Sequence, residues 1–293
     1  MPETTQRDVC ILCGKGSFTQ ADDRARVHSN VRRWRDHWTT VWRCGSCGSL
    51  HCLEQLELAP FYEAYPYSQR VLDNWTRTVF RHHLRRLERH GVRSESRVLD
   101  YGCSQGLFVE FLRDAGIQRA VGYDPYVPEF SSDDVLNERF DVVLAQDVIE
   151  HVENPRDLFR LLTELLRPGG MLCIGTPRAD GIDLSNPEQS IHSLHTPFHR
   201  HILSEQALGG LAAEHRLLVE RLYRRHIFDT LVPFVNWTFI HDYLARLDNT
   251  LDAGFETPSM RTILTSPHLI AMGLFGYVFP IRSEMLVLLR KPG

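Results

Sequence analysis

The amino-acid sequence predicts an α/β protein: a mostly parallel sheet with a small metal-held module in front of it. Three observations carry that expectation. From Val98 to Tyr223, apolar runs that stop at glycine or an acid alternate with amphipathic stretches, the pattern of buried strands and crossover helices. Two Cys-x-x-Cys pairs, Cys10/Cys13 and Cys44/Cys47, stand near the amino terminus. The run Val98-Leu99-Asp100-Tyr101-Gly102-Cys103-Ser104-Gln105-Gly106 reads as a strand entering a glycine turn, where backbone can approach a ligand closely.

Bulk properties set the frame. A chain of 293 residues has room for one large α/β domain and an appendage. Its formal net charge of -4 argues against nucleic acid as a partner of the whole surface, leaving local basic patches open. Met1 to Asp8 is polar, so no secretory signal is expected. The longest apolar stretch, Leu269 to Ile281, is shorter than the roughly 20 residues that span a bilayer. Seven cysteines, four of them in Cys-x-x-Cys pairs, suit metal binding in a reducing compartment. A cytoplasmic protein is the expectation.

Taken in order, residues 1–58 form the expected module. Each cysteine pair places two thiolates on a tight knuckle, and four soft ligands suit tetrahedral zinc. The 30 residues between the pairs predict a zinc ribbon with a strand-rich insert around Val41-Trp42-Arg43. His51 and Cys52 are spare ligands, and a four-thiolate site with no open position is structural. Arg24, Arg26, Arg32, Arg33 and Arg35, with Trp34 and Trp38 among them, form either a phosphate-binding face or a solvated one. Residues 59–94 comprise an aromatic linker, Pro60 to Tyr67, and a lead-in helix from about Ser68 to His90. That helix shows apolar residues at helical spacing and stops at Gly91.

The large domain, 95–293, begins with a strand from Arg97 to Gly102 and a helix reaching Ala115. A second strand, Ala120 to Asp124, ends in an acid placed where a carboxylate holds ribose hydroxyls. Phe140 to Gln146 is a third buried strand, followed by a helix from about Arg156 to Leu166. Arg167-Pro168-Gly169-Gly170 ends that helix, and Met171 to Pro177 is the next strand. Ile191 to His201 holds His192, His195, His199 and His201. Histidine titrates near neutrality, so a general base in this loop is plausible, with His195 and His199 first. His151, after Glu150, is a further base. Ser204 caps a helix from Glu205 to Glu214, and Leu217 to Arg224 is a strand.

The series V-L-D-Y-G-C-S-Q-G, G-Y-D-P, F-D-V-V-L-A-Q-D-V-I-E-H-V and L-L-R-P-G-G-M-L resembles the class I S-adenosylmethionine-dependent methyltransferases over about residues 95–225 and a closing strand. The resemblance implies a Rossmann-like sheet whose last strand, Glu284 to Arg290, is antiparallel. It implies a site in which Asp100, Gly102, Cys103 and Gly106 surround the methionine part of the cofactor. Asp124 would bind its ribose, Gln146 and Asp147 would face the transferred methyl, and His201, ahead of Ile202-Leu203-Ser204, would lead into the next helix. Two departures stand out. Ser104 replaces a usual glycine, which suits only a negative backbone angle. Asp124 and Asp141 lie too close for the usual helix and third strand, so the sheet should lack one edge element.

Residues 226–283 replace a short turn before the closing strand and should form a lid, a substrate wall or a homodimer contact. Their aromatics either line an apolar substrate site or form their own core. The pairing of a four-cysteine module with this core resembles the sugar-nucleotide C-methyltransferases. That implies a small-molecule acceptor: a sugar nucleotide, a polysaccharide precursor or a natural-product intermediate. Two alternatives stay open, a zinc-ribbon ribosomal-RNA methyltransferase and a noncatalytic protein that binds S-adenosylmethionine.

Overall fold

The computed structural model describes residues 5–62 and 71–293. The amino-terminal part contains β1 (Thr5–Gln6), β2 (Arg24–His28), β3 (Trp38–Arg43), β4 (Leu50–Cys52), β5 (Glu54–Gln55) and the short α1 (Ala59–Tyr62). The expected linker tail, 63–67, and the start of the lead-in helix, 68–70, lie outside the described residues. That helix, α2, runs Asn74–Arg89 and begins where Asp73 accepts a hydrogen bond from the Thr76 amide, the usual role of an N-cap.

The large domain continues with β6 (Val98–Tyr101), α3 (Leu107–Asp114), β7 (Ala120–Tyr123), β8 (Phe140–Gln146), α4 (Pro155–Glu164) and β9 (Leu166–Pro177). After these come α5 (Ile191–Leu194), β10 (His201–Ile202), α6 (Glu205–Glu214), β11 (Leu218–Tyr223), α7 (Trp237–Ala245), α8 (Met260–Leu264), α9 (Pro267–Phe275) and β12 (Glu284–Arg290). The six-stranded sheet has the order β11-β12-β9-β8-β6-β7. β6, β7, β8 and β9 pair in parallel, and β12 runs antiparallel to both β9 and β11. The third edge strand is missing as expected: two 3-10 turns, Pro128–Phe130 and Asp133–Asn137, fill the gap, leaving β7 at the edge.

The inner strands β8 and β9 and the middle of β12 are mainly apolar because both of their faces are covered. Along β8, Val143 and Ala145 face α4, α6 and the cysteine module, whereas Val142 and Leu144 face α2, α3 and Phe228 of the insertion. The period of two recurs in β9 and β12.

Three sequence expectations need correction. β9 begins at Leu166, not Met171: the Pro-Gly-Gly segment is a bulge, since Phe140 faces Leu166 while Val142 already faces Met171. Gly169 at φ 75° turns that bulge. His201 does not simply lead into the next helix; as part of β10 it pairs with His51 of β4 and extends the order β10-β4-β3-β2. The amino-terminal sheet is thus completed by a strand from beyond residue 58, and Cys10, Cys44 and Cys47 share a core with Phe159 and Leu208. Ser104 stands at φ 49°, the positive angle its side chain does not favour.

Candidate active site

The glycine turn comes first. Gly102 and Gly106 stand at φ 76° and 73°, and a Cβ on either would collide with Val148 or with the Phe130 ring. Only glycine fits both the angle and the space. Ser104 adopts the same unfavourable region because its amide donates to Asp124 Oδ2 at 2.9 Å, while the Tyr126 amide donates to Oδ1 at 3.0 Å. Asp124 is therefore fixed at the end of β7 by two main-chain donors, with lone pairs remaining on both oxygens.

Asp100, on the neighbouring strand, is buried. Its carboxylate has no hydrogen-bond partner among the described residues. Burial, and then the charge of Asp124, push its pKa up to about 7. A buried carboxyl in this state lacks a donor or a cation.

At the end of β8, Gln146 donates to Asp147 Oδ1 at 2.8 Å, and its own Oε1 has no hydrogen-bond partner among the described residues. Asp147 Oδ2 lies 3.7 Å from His226 Nε2. Burial raises the Asp147 pKa, but the His226 contact outweighs it and the net direction is down. Burial likewise works against His226⁺, and Asp147 reverses it, so His226 is raised. Its ring stacks on Trp237 at 4.4 Å. Sequence reasoning missed His226. It opens the insertion, and nothing in its local pattern points back to β8.

The three histidines expected to supply a base come together. The His151 and His199 ring centroids are 4.7 Å apart, His195 and His199 4.9 Å, and His151 and His195 6.4 Å. They gather because the main-chain oxygen of Glu150 accepts from the Arg200 amide at 2.8 Å, tying the histidine loop to the β8 exit. His199 Nδ1 donates to the Ser193 carbonyl at 2.8 Å and His151 Nδ1 to the Phe198 carbonyl at 3.1 Å. These bonds place the proton on Nδ1 and the lone pair on Nε2 in both rings. Tyr62, from the expected aromatic linker, brings its hydroxyl to 3.2 Å from His151 Nδ1.

Burial lowers the His151 pKa to about 4 and drives His195 and His199 well below the usual range. Burial thus favours the neutral imidazole in all three. Glu150 is fully buried; Thr176 donates to its Oε2 at 3.0 Å, and its Oε1 has no hydrogen-bond partner among the described residues. Burial, then Asp147, raise it strongly.

His192 lies elsewhere, in a network that joins the modules. Asn30 Nδ2 donates to His192 Nδ1 at 3.1 Å, and His192 Nε2 donates to Asn249 Oδ1 at 3.1 Å. Asn30 Oδ1 accepts from His195 Nδ1, and Asn30 O accepts from the Leu251 amide at 2.7 Å. Next to it Arg32 pairs with Asp248 at 2.7 Å and Glu256 at 2.6 Å of the insertion. One residue of the expected basic face is thus a clamp, while the guanidinium groups of Arg24, Arg26 and Arg33 lie over Phe18, Trp38 and Trp34.

The sulfur atoms of Cys10, Cys13, Cys44 and Cys47 lie within 4.8 Å of one another, a group sized for one ion. Hydrogen bonding with Cys10 lowers the Cys47 thiol to about 5 and raises the Cys10 thiol. His51 is not a fifth ligand; its Nε2 meets Cys10 Sγ at 3.1 Å and its Nδ1 meets His201 Nδ1 at 3.0 Å. Cys52 points away and donates to the His199 carbonyl.

Among known proteins, the chain is similar to a ubiquinone biosynthesis O-methyltransferase of Dictyostelium discoideum, 30% identical over 27% of this chain and 34% of that one. A second such enzyme, from Schizosaccharomyces pombe, is 34% identical over 28% of this chain and 38% of its own length. The chain spans well under half the length of these relatives. Among solved structures it is similar to the N-methyltransferase NodS of Bradyrhizobium japonicum, at 14% identity, TM-score 0.41, over 75% of this chain and 89% of that one. An S-adenosylmethionine-dependent methyltransferase from Archaeoglobus fulgidus gives 18% identity and TM-score 0.43 over 73% of this chain and 94% of that one. A family model described as a methyltransferase domain matches residues 72–220, just over half of the 293 residues, and the chain belongs to that family.

Proposed function

We propose that the protein transfers a methyl group from S-adenosylmethionine to a small-molecule acceptor at the carboxyl ends of β6, β7 and β8. The observation that carries this reading is Asp100, a buried carboxyl with no hydrogen bond among the described residues, beside the anchored Asp124. The cofactor fits this pair: an ammonium group would supply the charge Asp100 lacks, and vicinal hydroxyls would use the lone pairs left on Asp124. Gly102, Cys103 and Gly106 would form the wall beside its methionine part. Gln146 and Asp147 would face the sulfur, with Gln146 Oε1 unpartnered among the described residues. When bound, the cofactor supplies an electrophilic methyl.

The chain's own task is then to align a nucleophile and take its proton. His199 Nε2 is the best-placed base: its lone pair is fixed by the Ser193 carbonyl, and it lies 3.9 Å from Glu150. Its Nε2 lone pair can take the proton of the nucleophile, leaving an imidazolium 3.9 Å from Glu150 Oε1. His151 and His195 complete the basic wall. The relatives named as O-methyltransferases support an oxygen acceptor, and the four-cysteine module supports one of sugar-nucleotide, polysaccharide-precursor or natural-product type. The cysteine cluster fits a structural zinc ion: four sulfur donors, no open position, and His51 as an outer partner of Cys10.

Methyl transfer from isotopically labelled S-adenosylmethionine to hydroxylated small molecules and to ribosomal RNA tests this. Label in a small molecule, lowered by His199→Ala and His195→Ala at unchanged cofactor affinity, is expected. Label in RNA alone, or full activity in both variants, would overturn the acceptor class or the base.

A further inference from the structure

The insertion carries a feature that methyl transfer does not use. Leu231 and Val232, in the loop before α7, are 71% and 45% exposed; Phe275, at the end of α9, is 59% exposed, and Val278 and Phe279 just beyond are 66% and 60% exposed. Within α9 only Leu269 and Gly273 are buried. Large side chains gathered in this way mark a surface that meets something apolar.

The tip is built, not frayed. The Phe234 amide donates to the Gly273 carbonyl at 2.7 Å and its ring lies over Gly273, which seats the 231–234 loop on α9. Asn236 donates to the Met272 carbonyl at 3.0 Å, and Thr238 to the Phe279 carbonyl at 2.7 Å. The same insertion carries Trp237, stacked on His226 beside Asp147.

A row of cations borders it. Arg81, Arg85 and Arg89 repeat every four residues along α2, and with Leu231 and Val232 they line a crevice of about 270 Å³. One turn earlier Arg77 is paired with Asp114 at 3.0 Å, but none of these three has a carboxylate within ion-pair distance among the described residues. A chain of net charge -4 thus concentrates unpaired positive charge beside this exposed apolar tip.

We infer that this tip and the α2 arginines dock the protein on an anionic lipid surface. Apolar side chains at a loop and a helix end would enter the acyl boundary, and the arginines would meet headgroup phosphates. No helix among the described residues is long and apolar enough to cross a membrane, so the tip lies in the interface. A second copy of the chain is the poorer occupant: a two-fold contact through this face would bring the two arginine rows together.

The test uses the full chain and vesicles of phosphatidylcholine, alone or mixed with phosphatidylglycerol, in a cosedimentation assay at low and high salt. The expected result is binding to the anionic vesicles only, weakened by salt. Arg81→Gln/Arg85→Gln/Arg89→Gln should lower affinity on the order of a hundredfold, and Phe275→Ser/Phe279→Ser should abolish binding, with thermal melts unchanged. The arginine variant removes no packed side chain, so it reads the surface even if the phenylalanine variant unfolds. Absent or salt-insensitive binding to anionic vesicles would overturn the inference. So would a dimer in solution that these substitutions dissolve without vesicle binding.

Discussion

Asn30→Ala should damage both stability and turnover, although Asn30 lies in the amino-terminal module. Its side chain is 1% exposed, donates to His192 and accepts from His195, which tethers the loop carrying the expected base. Alanine leaves both bonds unmade inside the core, at about 1–3 kcal/mol each, so a loss of about 2–6 kcal/mol is expected. Urea unfolding measures it, since a change of this size moves the midpoint well beyond error. His195 would also lose the acceptor that holds its proton on Nδ1. Asn30→Asp separates the two effects: it still accepts from His195 but cannot donate to His192, and its charge should raise the His195 pKa. The acid limb of the turnover profile should move to higher pH. A parent-like midpoint and kcat in Asn30→Ala would refute the tether.

Two further outcomes follow from the same geometry. Metal analysis should find about one zinc ion per chain, and Cys44→Ser should lower both the zinc content and the melting temperature; a folded, metal-free chain would contradict the zinc assignment. Stability should fall steeply in acid, because burial holds His51, His83 and His192 at about 3 and His151 at about 4. The unfolded chain binds more protons below its histidine pKa of about 6.5. Stability present above that value is therefore lost as pH falls toward the folded values, on the order of 4 kcal/mol for each histidine fully titrated. Asp100 and Glu284, raised to about 7 by burial first, act in the opposite sense: protonated at low pH, they disfavour the fold as pH rises from about 4 to 7. The histidines outnumber them, so a flat stability from pH 5 to 7, followed by urea unfolding, would contradict this balance.

What could be read from the sequence was local. β8 and β12 follow from uninterrupted apolar runs, α6 from the Ser204 cap, and the missing edge strand from the short distance between Asp124 and Asp141. The cysteine cluster followed from spacing alone. Features that depend on distant segments were not legible. β10 is two residues long and exists because β4 offers it an edge. The bulge before Met171 is set by pairing with β8, so Pro-Gly-Gly read as a helix stop instead. Ser104 holds a positive φ because Asp124, twenty residues on, accepts from its amide. Asn30, Tyr62 and His226 reach the histidine cluster or Asp147 from three separate stretches, and no periodicity in any of them announces it. The insertion aromatics divide: Phe239 and Tyr243 form a small core with Leu269, whereas Phe275 and Phe279 face solvent.

The central claim is the S-adenosylmethionine site at Asp100 and Asp124, and calorimetry of the full chain with S-adenosylmethionine tests it most directly. Saturable binding is predicted, weakened on the order of a hundredfold by Asp124→Ala, since charge-assisted hydrogen bonds of about 1.5–3 kcal/mol each are lost. Circular dichroism should show the fold retained. Unchanged affinity in a folded Asp124→Ala variant would contradict the account.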